Sequence, residues 1–272
     1  MSEFNNKTVI ITGASAGLGA ACARAFAEQG ANLVLAARGM PALEKIRDEL
    51  AAKTRVLAVS MDVADDEACA ALLENAEQEF GAVHGLINNA GLHQRGEVRS
   101  VTPQQIGAMI DVNLRAPLML SAAVIPYLER AGGGFIVMVG SLAGLTPIQG
   151  AATYAGSKAG LRAFAYSMAD ELRDSGVHVG VVSPGPIDTG FIMDEIDEVE
   201  DIVFSQPMST AEQVAEAVLE VAAGKAVEIC LPASGRALAT LGYVFPGVRR
   251  RLRPRMSAKG RKNKDKYRNR KA

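Results

Sequence analysis

The sequence has no uninterrupted apolar run of the length a bilayer-spanning helix needs, about 20 residues. Its start, Met1-Ser-Glu-Phe-Asn-Asn-Lys, has neither the basic stretch nor the cleavage site of a secretory signal. Cysteine is scarce: Cys22, Cys69 and Cys230 are odd in number, widely spaced and without a paired-ligand pattern. A disulfide frame and a cysteine metal site are thereby excluded, and buried, reduced thiols in a cytoplasmic protein are expected. No internal repeat or low-complexity segment precedes the C-terminal tail.

What is present is a 272-residue chain that is 49% apolar, enough for one large α/β domain. Short β-rich runs alternate with longer helical patterns. Strands are predicted at 8–12, 32–37, 55–59, 83–88, 135–140, 177–182 and 227–231, and helices at 17–29, 41–52, 65–80, 103–130, 153–175 and 210–223. Asp65, Thr102 and Thr210 stand where N-caps belong, and Gly30, Gly81 and Gly176 where helices should stop. Several strands are apolar throughout, as strands buried on both faces are. Such alternation predicts a Rossmann-like doubly wound parallel sheet with right-handed crossovers. Only 185–207 lacks clear periodicity.

The net charge of −1 conceals an asymmetry. From Arg236 onward there are fourteen Lys/Arg and one acidic residue, Asp265, which leaves fifteen basic and twenty-nine acidic residues before it. The chain therefore divides into an acidic body, 1–235, and a basic, partly apolar tail, 236–272.

Tyr154 and Lys158 lie four residues apart, so on a helix the phenol and the ammonium share a face. A phenol is a poor base at neutral pH, and a neighbouring cation should lower its pKa toward that of a useful acid/base. Near the N-terminus, the first strand runs into Thr12-Gly-Ala-Ser-Ala-Gly-Leu-Gly19. Gly13 suits a tight turn, and Gly17 a close approach of backbone to a pyrophosphate. Gly19 suits packing of helix on sheet, and the helix N-terminus offers free N–H groups to an anion.

These motifs, with Asn88-Asn-Ala-Gly91, Asn113, Ser141 and Pro184-Gly185, stand in the order found in the short-chain dehydrogenase/reductase family, which the chain resembles over residues 6–232. The resemblance implies a seven-stranded parallel sheet and hydride transfer between a nicotinamide cofactor and a carbonyl or alcohol. It implies that Tyr154 gives or takes the proton, that Lys158 binds the nicotinamide ribose and depresses the Tyr154 pKa, and that Ser141 fixes the substrate oxygen. Asn113 would kink its helix and hold a proton-relaying water. Cofactor contacts are implied for Gly13, Ser15, Ala16, Gly17, Leu18 and Gly19, for Asp62 and Val63 at the adenine, and for Asn89, Ala90 and Gly91. They are implied too for Pro184, Gly185, Ile187 and Thr189, alongside Tyr154 and Lys158. His93 and Gln94 are candidates for substrate contact, with an exposed polar loop as the alternative. Relatives form homodimers or homotetramers through helices starting near Pro103 and Thr153, and the same is expected here.

Charge argues the cofactor. The second strand ends in Ala37 and Arg38, without the carboxylate that would take a free ribose 2′-hydroxyl. A guanidinium suits a 2′-phosphate, so NADP(H) is expected ahead of NAD(H), although Ala16 stands where many NADP-using relatives carry a second base.

Phe191-Ile-Met and Ile202-Val-Phe, in the aperiodic segment, suggest an apolar lid and a lipophilic substrate. The acidic run 194–201 argues against direct contact with an anionic headgroup, or is simply a solvated face. Residues 237–248 are mostly apolar and precede Arg249-Arg-Arg-Leu-Arg-Pro-Arg255. That pairing suits an anionic membrane surface, which would place the protein at the periphery of a membrane's inner face. Pro246 and Pro254 argue against one continuous helix. Nucleic-acid binding is a weaker reading of the tail, beside contact with another subunit's acidic body or a disordered solubilising role. Rival functions are an NAD-dependent alcohol dehydrogenase of small substrates and a non-catalytic NADP(H) sensor or scaffold.

Overall fold

The computed structural model describes residues 2–271; Met1 and Ala272, the outer ends of the two expected segments, lie outside them. The strands are β1 (Thr8–Thr12), β2 (Asn32–Ala37), β3 (Val56–Ser60), β4 (Gly85–Asn88), β5 (Gly134–Val139), β6 (Val177–Pro184) and β7 (Glu228–Leu231). The helices are α1 (Gly17–Glu28), α2 (Met40–Leu50), α3 (Asp66–Phe80), α4 (Pro103–Ile110), α5 (Ala116–Arg130), α6 (Ala152–Glu171), α7 (Gly190–Met193), α8 (Ala211–Ala222), α9 (Ala233–Val244) and α10 (Pro246–Lys271). All seven strands pair in parallel, in the order β3-β2-β1-β4-β5-β6-β7.

Alternate strand residues feed two cores. Val9, Ile11, Leu33 and Leu35 pack under α1, α2 and α8, whereas Ile10, Val34, Leu86 and Ile136 pack under α3, α5 and α6. Both faces are therefore covered, which is why the strands are apolar without alternation. The strand order reverses direction between β1 and β4. The crevice beyond the carboxyl ends of those strands is where such sheets bind ligands.

All three predicted N-caps are present. Asp65 accepts from the N–H groups of Glu67 and Ala68, and Thr102 and Thr210 form capping boxes with Gln105 and Gln213. Gly81 ends α3 in the left-handed region, at φ 83°. Gly176 is also left-handed, but α6 ends earlier, at Glu171, and a turn through Leu172–Ser175 precedes it.

The predicted single helix over 103–130 is interrupted by a π-turn, Asp111–Arg115, where the Ala116 N–H donates to the Asp111 carbonyl five residues back. Contrary to the sequence reading, the stretch Pro103–Arg130 is long and apolar enough to cross a bilayer by length and composition alone. Its Ala116, Leu120, Val124 and Leu128 are spent on the second core.

The tail also departs from expectation. It forms α9 and α10, which meet at a knee before Pro246, as that proline predicts. Pro254, however, lies inside α10. Its missing N–H frees only the carbonyl of Arg250, which stands on the exposed side. The acidic partner of the tail is the chain's own segment after α7. Lys264, buried, donates to the carbonyls of Asp197 (3.2 Å) and Val199 (2.7 Å). Arg261 pairs with Asp201 at 3.0 Å, Arg268 pairs with Asp197, and Asn263 donates to the Phe204 carbonyl at 2.9 Å. Gly260 touches the same segment: a Cβ there would lie 1.8 Å from the Asp201 carbonyl oxygen. The run 194–201 is thus divided: Asp197, Glu200 and Asp201 pair with α10, Asp194 and Glu195 line the cavity, and Asp194, Glu195, Asp197, Glu198 and Glu200 are exposed.

Candidate active site

The crevice at the β1/β4 switch opens into a cavity of about 1170 Å³. Its floor is the turn between β1 and α1. Gly13 adopts φ 65°, and a Cβ on it would lie 2.9 Å from Ala90 Cα, so only glycine lets this turn sit against the strand beside it. A Cβ on Gly19 would meet the Gly13 carbonyl oxygen at 2.2 Å. Gly19 therefore packs the helix against its own turn, not against the sheet as expected. Asn89 locks this arrangement by donating to the carbonyls of Thr12 (2.9 Å) and Gly13 (3.2 Å). Its amide nitrogen is thus committed to shaping the cradle. Ala16 is the N-cap of α1, with no side-chain cap and no acidic residue in the first turn, so the leading N–H groups of the helix face the cavity free to meet an anion. A cradle that any Cβ would fill, beneath a bare helix N-terminus, fits the pyrophosphate of a dinucleotide.

Every residue expected to touch cofactor lines this cavity: Gly13, Ser15, Ala16, Gly17, Leu18, Gly19, Arg38, Asp62, Val63, Asn89, Ala90, Gly91, Tyr154, Lys158, Pro184, Gly185, Ile187 and Thr189. Ser141 joins them. Arg38 is exposed at the end of β2 and forms no ion pair with any described residue. Asp62 is turned toward its own backbone, accepting from the Ala64 N–H at 3.0 Å.

Asn113 does not reach the cavity wall. It is fully buried in the π-turn, its Oδ1 accepting from the Leu92 N–H and its Nδ2 donating to the Leu92 carbonyl, both at 2.7 Å. The expected kink is present, and the side chain pins the loop after β4.

Tyr154 and Lys158 lie on α6, and Ser141 stands two residues beyond the end of β5, after Gly140. The Ser141 hydroxyl accepts from the Ala143 N–H at 3.1 Å and favours ionisation of the Tyr154 phenol. Lys158 is buried, donates to the Val139 carbonyl at 2.9 Å, and sits 5.9 Å from the centroid of the Tyr154 ring. Burial pulls its ammonium down to about 8. The expected depression of the Tyr154 pKa by Lys158 is not found. Burial pushes the phenol above its ordinary value, opposed by the Ser141 hydroxyl and the charge of Arg95. The phenol is therefore protonated at neutral pH and poised to donate.

His93 and Arg95 carry more of the site than the sequence indicates. The His93 ring stacks on Tyr154 at 4.3 Å, and burial, then the Arg95 charge, lower it to about 4. Arg95 donates to the Phe191 carbonyl at 2.7 Å and pairs with Glu195 at 2.9 Å, holding α7 over the cavity. An arginine in a loop gives no signal of this, because its partners lie a hundred residues away. Gln94 accepts from Gln105 instead of facing the cavity, and Phe204 is buried beside Tyr267 under α10. Phe191, Ile192, Ile202 and Val203 do line the cavity, joined by Leu238, Leu241 and Val248 from the tail.

Comparison with known proteins agrees with this geometry. Residues 7–200 match the family model described as short chain dehydrogenase. The chain is 33% identical to Dehydrogenase/reductase SDR family member 7B of Bos taurus, over 95% of the chain and 84% of that protein. It is 32% identical to the ketoacyl reductase HetN of Nostoc sp., over 84% of the chain and 79% of that protein. A crystallographically solved short-chain type dehydrogenase/reductase from Mycobacterium marinum superposes with a TM-score of 0.79 at 26% identity, covering 85% of this chain and 96% of that one.

Proposed function

The chain belongs to the short-chain dehydrogenase/reductase family of NAD(P)(H)-using oxidoreductases, and on that premise we propose that it interconverts a carbonyl and a secondary alcohol on a lipophilic substrate with NADP(H). The observation that carries this reading is the convergence of the Tyr154 phenol, the Ser141 hydroxyl and the Lys158 ammonium on the cavity that holds the nucleotide cradle.

The cradle of Gly13 to Gly19 would hold the pyrophosphate, Asp62 and Val63 the adenine end, and Arg38 the 2′-phosphate. Lys158, Pro184, Gly185, Ile187 and Thr189 would hold the nicotinamide end. The cofactor, when bound, supplies or accepts the hydride. Ser141 and Tyr154 donate hydrogen bonds to the substrate oxygen, stabilising the negative charge that develops there. In reduction the proton on Tyr154 Oη passes to that oxygen; in oxidation the phenol must first lose it. Asn113 keeps the loop at Leu92 in place. Arg38 supports NADP(H) because a guanidinium with no ion-pair partner among the described residues is available to a phosphate.

The apolar wall of Phe191, Ile202, Leu238, Leu241 and Val248 supports a lipophilic substrate. Consumption of NADPH, with NADH as control, against methyl ketones and 3-oxoacyl thioesters of increasing chain length tests this. A rate that rises with chain length and depends on NADPH is expected; a flat response would sink the lipophilic-substrate reading.

A further inference from the structure

Helix α9 is packed the wrong way round for a core helix. Its small residues face the protein: Gly235, where a Cβ would lie 2.6 Å from Leu142 Cδ1, and Ala239, buried beside Leu142 and Leu145. Its large residues face outward. Of the ten most exposed large apolar side chains among the described residues, six fall between Leu238 and Val248, led by Tyr243 at 64%, Val244 at 59% and Phe245 at 53%. Soluble surfaces rarely keep such a cluster bare without a partner.

The charges of the tail divide along its length. Toward the C-terminus, Arg261, Lys264 and Arg268 are engaged with the acidic segment after α7. Beside the apolar cluster, Arg249, Arg250, Arg251 and Arg255 form no ion pair with any described residue. The cluster also adjoins the cavity, because Leu238, Leu241 and Val248 both stand exposed and line it.

We propose that the knee between α9 and α10 is a docking surface for an anionic lipid bilayer, with the mouth of the cavity at the docked face. Apolar side chains enter the acyl boundary while arginines meet lipid phosphates. A nucleic acid would satisfy the arginines but leave Tyr243, Val244 and Phe245 in water. That the docked mouth admits a lipid-borne ketone rests on the function proposed above; the docking itself does not.

Flotation of the full chain with vesicles tests it. We expect recovery with phosphatidylcholine vesicles containing phosphatidylglycerol, none with phosphatidylcholine alone, and loss at high salt. A Tyr243→Glu/Phe245→Glu variant, altered outside the cavity lining, should fall at least roughly tenfold in vesicle partition while turning over a short soluble ketone at the wild-type rate. Arg251→Glu/Arg255→Glu should also weaken partition, at about fivefold per basic residue lost. Failure to float with anionic vesicles at low salt, or equal flotation by either variant, would overturn the proposal. So would a wild-type dimer that the first variant converts to monomer without lipid, because the cluster would then belong to a second copy. An oligonucleotide bound equally by wild type and Tyr243→Glu/Phe245→Glu, in protein that ignores vesicles, would overturn it in favour of nucleic acid. Docking without turnover of a vesicle-borne ketone would sink the enzymatic reading alone.

Discussion

Lys158 combines two opposed demands in one side chain. Its ammonium is buried, and burial lowers it to about 8 from an ordinary 10.5. The folded protein therefore binds fewer protons than the unfolded one between those values, and stability should rise as pH climbs through that window. Below it, the buried charge is a standing cost. Lys158→Met should raise the melting temperature, about 2–4 °C for each kcal/mol recovered, while abolishing measurable turnover. His93 follows the same sign. Lowered to about 4 by burial and then by Arg95, it stays neutral in the folded protein, so its contribution to stability is lost as pH falls from its ordinary 6.5 toward 4. Thermal melts of wild type and His93→Gln across that range should converge at acid pH. At the end of β2, Arg38→Glu should raise the KM for NADPH roughly tenfold to a hundredfold and that for NADH far less, as loss of a charge-assisted hydrogen bond implies. Equal effects on both cofactors would deny Arg38 any part in 2′-phosphate recognition.

Elements differ in how much of them can be read from sequence. The strands and the three capped helices are legible because apolar runs, capping residues and left-handed glycines are local signals. The glycine turn and the Tyr154/Lys158 spacing are legible for the same reason, and Gly13, Gly17, Gly19, Tyr154 and Lys158 all reach one cavity. The kink at Asn113 is expected from the family resemblance but not from the local pattern over 103–130, because it depends on hydrogen bonds to Leu92, twenty-one residues away in sequence. The seat of α10 is hidden, since its partners at 197–204 lie about sixty residues upstream and nothing in the basic pattern marks them. That seat is a close fit. Gly260→Val would drive a side chain into the Asp201 carbonyl, so α10 should lift and the lid loosen. Limited proteolysis should then cut within 194–205, and the KM for long-chain ketones should rise with little change for short ones. Unchanged protease resistance would show that α10 does not hold the lid.

For the molecule as a whole, an acidic body and a basic tail neutralise each other within one chain, so a net charge of −1 conceals a folded-in contact. The lid, the tail and the parallel sheet meet at one cavity, and the central claim concerns the chemistry done there. Tyr154→Phe removes a single oxygen from it and leaves the cradle untouched. The decisive measurement is NADPH binding, followed by its fluorescence, beside single-turnover reduction of a long-chain methyl ketone, in wild type and Tyr154→Phe. The variant should still bind NADPH, losing at most the roughly tenfold that one hydrogen bond to the cofactor is worth, and reduce the ketone roughly 100- to 10,000-fold more slowly, as loss of a general acid predicts. Reduction at the wild-type rate by the variant would contradict the assignment of the proton to Tyr154 and, with it, the site proposed here.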